Sequence, residues 1–171
     1  MSDKSLIEAA PVSFGAKLAG SQAFSALFRD GMALVEETAG YLDGDGRRDS
    51  KVLERSAALA YATESMRLTT RLKQLASWLL LHRAVNEGEM SLAQANKEKA
   101  KVKLSAGNNA DADMNTLLPA RLRELIDRSV RLQDRVRRLD TTIHSPIVET
   151  EANPVERQVN LLRAAFEREG S

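Results

Sequence analysis

The stretch Leu68-Thr-Thr-Arg-Leu-Lys-Gln-Leu-Ala-Ser-Trp-Leu-Leu-Leu81 decides the fold. Leu68, Leu72, Leu75 and Leu79 recur at steps of four, three and four, a spacing that lines one face of an α-helix and that a strand cannot use. Trp78, Leu80 and Leu81 then make the end of this helix apolar nearly all round. Such a segment is buried from several sides, either by two helices of its own chain or by a second subunit. Upstream, Leu59, Tyr61 and Met66 extend the apolar surface, Asp49 or Ser50 supplies a cap, and Gly88 a stop after about Glu87. At about 1.5 Å per residue the helix spans roughly 50 Å.

Two further helices flank it. From about Phe14 to Leu42, residues Phe24, Leu27, Phe28, Met32, Leu34 and Val35 build one apolar face, with Gly15, Gly20 and Gly31 suited to close helix packing. Asp43-Gly-Asp-Gly46 reads as a turn that ends the stretch. The last long helix is predicted from near Thr116, with Pro119 in its first turn, to about Thr142. Leu118, Leu122, Leu125, Leu132, Val136, Leu139 and Ile143 form its stripe, and Ser129 is the single polar gap. Between the second and third long helices, Ser91 and Gln94 have capping-box spacing and open a short lysine-rich helix.

The expected fold is all-α: an antiparallel three-helix bundle over residues 13–142, a flexible leader at 1–12 and a flexible tail at 143–171. In the tail, Val155, Val159, Leu162 and Phe166 share one face of a short amphipathic segment behind Pro154. At about four turns it is marginal alone in water, so it packs on the bundle or waits for a partner groove.

Of the 171 residues, 43% are hydrophobic and only 4% aromatic, so the core is built from Leu, Ala, Val and Met. Twenty-five basic against 24 acidic side chains leave a net charge of +1, with no overall pull toward nucleic acid or anionic lipid. No cysteine is present, which excludes disulfides and thiolate chemistry and favours a reducing compartment. Residues 1–12 lack a signal-peptide apolar run, and Trp78–Leu81 is far short of a membrane span, so the expected location is the cytoplasm.

No catalytic or cofactor motif emerges. His82 and His144 are the only histidines, neither has a nucleophile arranged around it, and two histidines so far apart in sequence make a poor metal site. No glycine-rich phosphate loop exists. Asp43, Asp45 and Glu54 fall at positions one, three and twelve of a calcium loop, but Arg47 replaces an oxygen ligand and Arg48 the required glycine. The third helix carries seven arginines between Arg121 and Arg138. Glu124, Asp127 and Asp134 each precede an arginine (Arg128, Arg131, Arg138) by four residues, so this face is expected to be largely self-neutralised. No aromatics interleave to stack on bases. Its exposed arginines, Arg121, Arg128, Arg131 and Arg135, are candidate partner contacts together with Val155, Val159, Leu162 and Phe166. Trp78, Leu80 and Leu81 are the candidate dimer contacts. The lysines at 97, 99, 101 and 103 spread around their helix and form no single patch.

Several longer words carry a resemblance. Ser13-Phe-Gly15, Phe28-Arg-Asp-Gly-Met-Ala-Leu-Val-Glu36, Glu64-Ser-Met-Arg-Leu-Thr-Thr-Arg71, Gln74-Leu-Ala-Ser-Trp-Leu-Leu-Leu81 and Glu98-Lys-Ala-Lys-Val-Lys-Leu104 resemble the RcdA family, regulators of CtrA degradation in alpha-proteobacteria. The resemblance implies a dimeric three-helix bundle without enzymatic activity. It also implies an adaptor that helps deliver cell-cycle regulatory proteins, transcription regulators among them, to the ClpXP AAA+ protease, alongside a response-regulator-type co-adaptor. A cell-pole association and a flexible C-terminal tail belong to the same implication. The competing classes are a helical DNA-binding regulator and a structural polar-organising or division protein.

Overall fold

The computed structural model describes residues 21–101, 112–144 and 158. Every regular element among them is helical: α1 (Gln22–Asp43), α2 (Asp45–Lys51), α3 (Arg55–Asn86), α4 (Leu92–Lys101), α5 (Ala112–Asn115) and α6 (Ala120–His144). The leader and tail lie outside the described residues, Gln158 apart.

Local chemistry sets most boundaries. Ser21 caps α1, its Oγ accepting from the Phe24 N–H at 3.4 Å. Gly88 ends α3 with φ +75°, a conformation that favours glycine. Its N–H donates to Val85 O and the Glu89 N–H to Ala84 O, the paired bonds that close a helix C-terminus. At the start of α4 the expected capping box forms: Gln94 N–H donates to Ser91 Oγ at 3.2 Å and Ser91 N–H to Gln94 Oε1 at 3.1 Å.

Three boundaries differ from the sequence reading. The glycine-rich turn shrinks to Gly44 alone, and Asp45–Lys51 is a helix. Asp45 in its first turn and Arg48 and Lys51 in its last complement the helix dipole. Packing favours the same outcome: Tyr41 Oη donates to Asp49 Oδ2 at 2.9 Å, and a Cβ on Gly46 would lie 2.5 Å from Tyr61 Oη and 2.7 Å from Tyr41 O. As a result α3 starts at Arg55, behind Glu54 rather than Asp49 or Ser50. Pro119 precedes α6 instead of sitting inside it, and α6 begins at Ala120.

The three long helices, α1, α3 and α6, pack pairwise as a bundle. Their directions follow from which residues meet. Phe24 near the start of α1 lies 6.2 Å, ring to ring, from Trp78 near the end of α3, so these two are antiparallel. Asp30 pairs with Arg135 and Glu37 with Arg128 and Arg121, so α1 is antiparallel to α6 as well. Arg71 meets Ser129 and Trp78 meets Asp140, so α3 and α6 run parallel. After α3, α4 folds back onto it.

The leucine stripes are the core. Leu68, Leu72, Leu75 and Leu79 from α3 meet Leu122, Leu125, Leu132 and Val136 from α6 and Phe24, Leu27, Leu34 and Tyr41 from α1, all buried. Leu59 and Met66, expected to extend this surface, are instead 67% and 72% exposed. Gly31 marks a close approach of α1 to α3. A Cβ there would lie 2.5 Å from Leu79 Cδ1 and 3.6 Å from Leu132 Cδ2. Because Leu79 is itself buried, it has little room to yield. Gly31→Val is expected to lower the unfolding free energy by about 1–3 kcal/mol through overpacking. Urea denaturation checks this, and an unchanged midpoint would show that the contact is slack.

Candidate functional site

Along α6, the expected self-neutralisation is only partly realised. Glu124 approaches Arg128 at 3.8 Å, but among the described residues no ion pair joins Asp127 to Arg131 or Asp134 to Arg138. The stronger partners lie on α1. Arg128 grips Glu37 with both terminal nitrogens, at 2.5 and 3.0 Å, and Arg121 adds a bond at 3.2 Å. Arg135 reaches Asp30 at 3.1 Å. The Arg128 hydrogen bond is the main reason the Glu37 carboxyl is held below its ordinary value.

These pairs frame a groove of about 340 Å³ between α1 and α6, lined by Asp30, Ala33, Leu34, Arg128, Arg131, Leu132 and Arg135. Ala33, Leu34 and Leu132 make it apolar inside. Among its three arginines, Arg128 and Arg135 are paired, whereas Arg131 is exposed and forms no ion pair among the described residues. Three of the four arginines singled out in the sequence thus line one concave surface, and Arg121 lies beside it through Glu37. Val155, Val159, Leu162 and Phe166 lie outside the described residues.

The dimer candidates separate. Trp78 is buried by its own chain and is not available to a second subunit. Its Nε1 donates to Asp140 Oδ1 at 2.8 Å, its ring stacks on His82 at 3.9 Å, and Phe24 abuts it. A buried indole N–H needs an acceptor, and α6 provides one. Leu80 is 53% exposed and Leu81 half-buried; with Ser77, Ala84, Glu98 and Lys101 they line a shallow apolar groove between α3 and α4. A second apolar groove, between α1 and α3, is lined by Val35, Ala39, Leu42, Thr69, Leu72 and Ala76 among others.

Sequence reasoning missed the polar contacts inside the bundle. Ser129, seen as a gap in the stripe, accepts from Arg71 Nη1 at 2.9 Å and donates to Ile126 O at 2.7 Å. Asp140 accepts from Trp78 and from Lys99 of α4, the latter at 2.5 Å, and so joins three helices. The histidines, 62 residues apart, meet beside it with ring centroids 5.6 Å apart. Only long-range packing brings these groups together, and no local pattern announces it.

No helix among the described residues is long and apolar enough to cross a membrane. What the arrangement offers is shape and charge: an arginine-rimmed apolar groove and exposed leucines on a rigid helical frame.

The comparisons agree with that frame. The solved structure of RcdA from Caulobacter crescentus CB15 is 51% identical to this chain, with a TM-score of 0.64, covering 77% of this chain and 98% of that one. A family model described as a protein of unknown function (DUF1465) matches residues 15–166. A comparison with curated proteins finds no match. The chain belongs to the RcdA family.

Glu37→Gln tests the α1–α6 pairing. Its side chain is 38% exposed, so solvent screening keeps the loss of stability near neutral pH under about 1 kcal/mol. With the folded-state value lowered, Glu37 contributes stability that is fully present above 4.5, its ordinary value, and lost as pH falls through the lower folded-state value. The difference between wild type and variant should therefore shrink toward zero on acidification. A difference that grows in acid would contradict the pairing.

Proposed function

We propose that this protein is a non-enzymatic adaptor that helps deliver cell-cycle regulatory proteins to the ClpXP AAA+ protease. The observation that carries the reading is the 51% identity to RcdA over 98% of that chain, which supports transfer of the role implied by the family resemblance. An adaptor of this kind raises the effective concentration of a substrate at its protease and leaves the cleavage chemistry to the protease.

In this reading the α1–α6 groove receives a partner segment, either cargo or a response-regulator-type co-adaptor. Leu34 and Leu132 would meet an apolar side chain, and Arg131 an acidic group at the rim. Arginine suits such a contact because its planar guanidinium binds carboxylates bidentately. Leu80 and Leu81 are the remaining candidates for homodimer contacts, and Val155, Val159, Leu162 and Phe166 for a docking segment in the tail. Division of the chain into leader, bundle and tail, placement in the cytoplasm and association with the cell pole belong to the same proposal.

The DNA-binding alternative needs an unopposed basic face. On α6 the outward positions of Arg123, Arg131 and Arg138 alternate with Asp127 and Asp134, all exposed, which leaves no continuous basic strip for a phosphate backbone.

The direct test is reconstituted proteolysis of candidate cell-cycle regulators by ClpXP, with and without this protein. Faster turnover is expected on its addition, and a failure to accelerate any of them would sink the adaptor reading. Arg131→Glu is expected to slow the assisted turnover several-fold while changing stability by less than about 0.5 kcal/mol, the usual range for an exposed site. Full assisted turnover by that variant would move the partner contact away from this groove.

A further inference from the structure

The geometry points to a binding site for a divalent transition cation, of which Zn²⁺ is the natural probe, formed by His82, Asp140 and His144 where α3 and α6 come together. Each offers one donor atom, and the three lie within 4.8 Å of one another. Two imidazoles and a carboxylate are the donor set that suits zinc and its neighbours in the first transition row.

His82 carries the inference. It is fully buried, yet its Nε2 has no hydrogen-bond partner, a state that is costly in a protein interior. Its other nitrogen, Nδ1, lies 3.0 Å from the Trp78 carbonyl oxygen. A carbonyl only accepts, so Nδ1 holds the proton and Nε2 keeps an unused lone pair that a cation can take. A backbone carbonyl that fixes the tautomer of a histidine is the usual support behind a metal ligand. Stacking on Trp78 holds the ring in place.

The other two donors are compatible. His144 Nε2 is also buried without a hydrogen bond, and it lies 3.3 Å from Asp140 Oδ1. Tetrahedral zinc with bonds of about 2.0–2.1 Å sets its donors roughly 3.3 Å apart, so that edge is already in place. The wider separations must close by about 1.5 Å at most, and the adjustment falls to His144, the last residue of α6. Burial pushes both imidazoles below their ordinary value, which favours the neutral form that binds metal. The Asp140 and His144 side chains are 16% and 18% exposed, enough for a cation to reach them from solvent.

One group opposes the cation. Lys99 Nζ sits 2.5 Å from Asp140 Oδ2, and it faces the cluster from α4. Its side chain is 27% exposed and can swing into water, so metal binding exchanges one cation for another at the same carboxylate. Zinc at Oδ1, the oxygen that also accepts from Trp78, would add a bond between α3 and α6 and weaken the Lys99 link to α4 at Oδ2. This site does not depend on the adaptor reading.

The test uses the full chain, stripped of metal with a chelator and titrated with Zn²⁺ against a chromophoric competitor. One equivalent per chain is expected, with affinity at least about tenfold weaker in His144→Gln and in Asp140→Asn. Removing the opposing charge with Lys99→Met should tighten binding, a change that a merely structural histidine cluster would not show. Co²⁺ in place of zinc should give the intense visible bands of a tetrahedral site, and His144→Gln should abolish them. Absence of stoichiometric binding, or binding that is the same in wild type, His144→Gln and Lys99→Met, would overturn the proposal. Should either ligand variant fail to fold, Lys99→Met, which keeps all three ligands, decides the matter, with helicity measured alongside to show that the variant is folded.

Discussion

The junction of α3, α4 and α6 is arranged around the burial of one indole. With aromatics so scarce, Trp78 is the largest fully buried side chain, and its N–H cannot be left without an acceptor in the interior. Asp140 supplies that acceptor, and to do so it must hold a carboxylate at the edge of an apolar core. Lys99 then partners the charge from a third helix. One hydrophobic side chain thus leads to an ion pair and a junction of α3, α4 and α6. Because the indole is satisfied inside its own chain, the accessible apolar surface lies elsewhere, in the α1–α6 groove and at the exposed leucines of α3.

The arginines of α6 illustrate how packing changes the meaning of a charge. Counted along the helix they look like a nucleic-acid stripe or a self-neutralised surface. In three dimensions α1 lays Asp30 and Glu37 against them, so Arg128 and Arg135 become the braces of an antiparallel helix pair. Arg131, between them on the groove, keeps its charge unopposed by any ion pair among the described residues. At roughly a third to a half exposed, the braces contribute little to stability individually, but they fix the register of α1 on α6 and so the shape of the groove.

Most of the fold was legible in the sequence because leucine periodicity is a local signal. The α3 and α6 stripes, the Ser91–Gln94 capping box and the Gly88 stop could all be read from spacing alone. Asp45–Lys51 was not legible, since two glycines within four residues argue against a helix; Tyr41 and Tyr61, packing on Gly46, outweigh that local preference. Trp78 was misplaced for a related reason. An all-round apolar helix end needs several neighbours, and periodicity does not say whether they come from the same chain. The polar junction of His82, Asp140 and His144 was beyond reach altogether, because His82 sits on a different helix and more than fifty residues before its two companions. The α1 acids were hidden in the same way: Asp30 and Glu37 carry no local mark of their partners on α6.

Trp78 is the only tryptophan in the chain, so its fluorescence reports the central claim directly: this ring is buried by its own bundle and not by a second subunit. Emission should be followed on dilution from micromolar to nanomolar protein, with helicity monitored in parallel. The structure predicts an emission maximum characteristic of a buried indole that stays constant across the series. A red shift on dilution, with helicity retained, would show that a partner subunit covers Trp78 and would contradict this account.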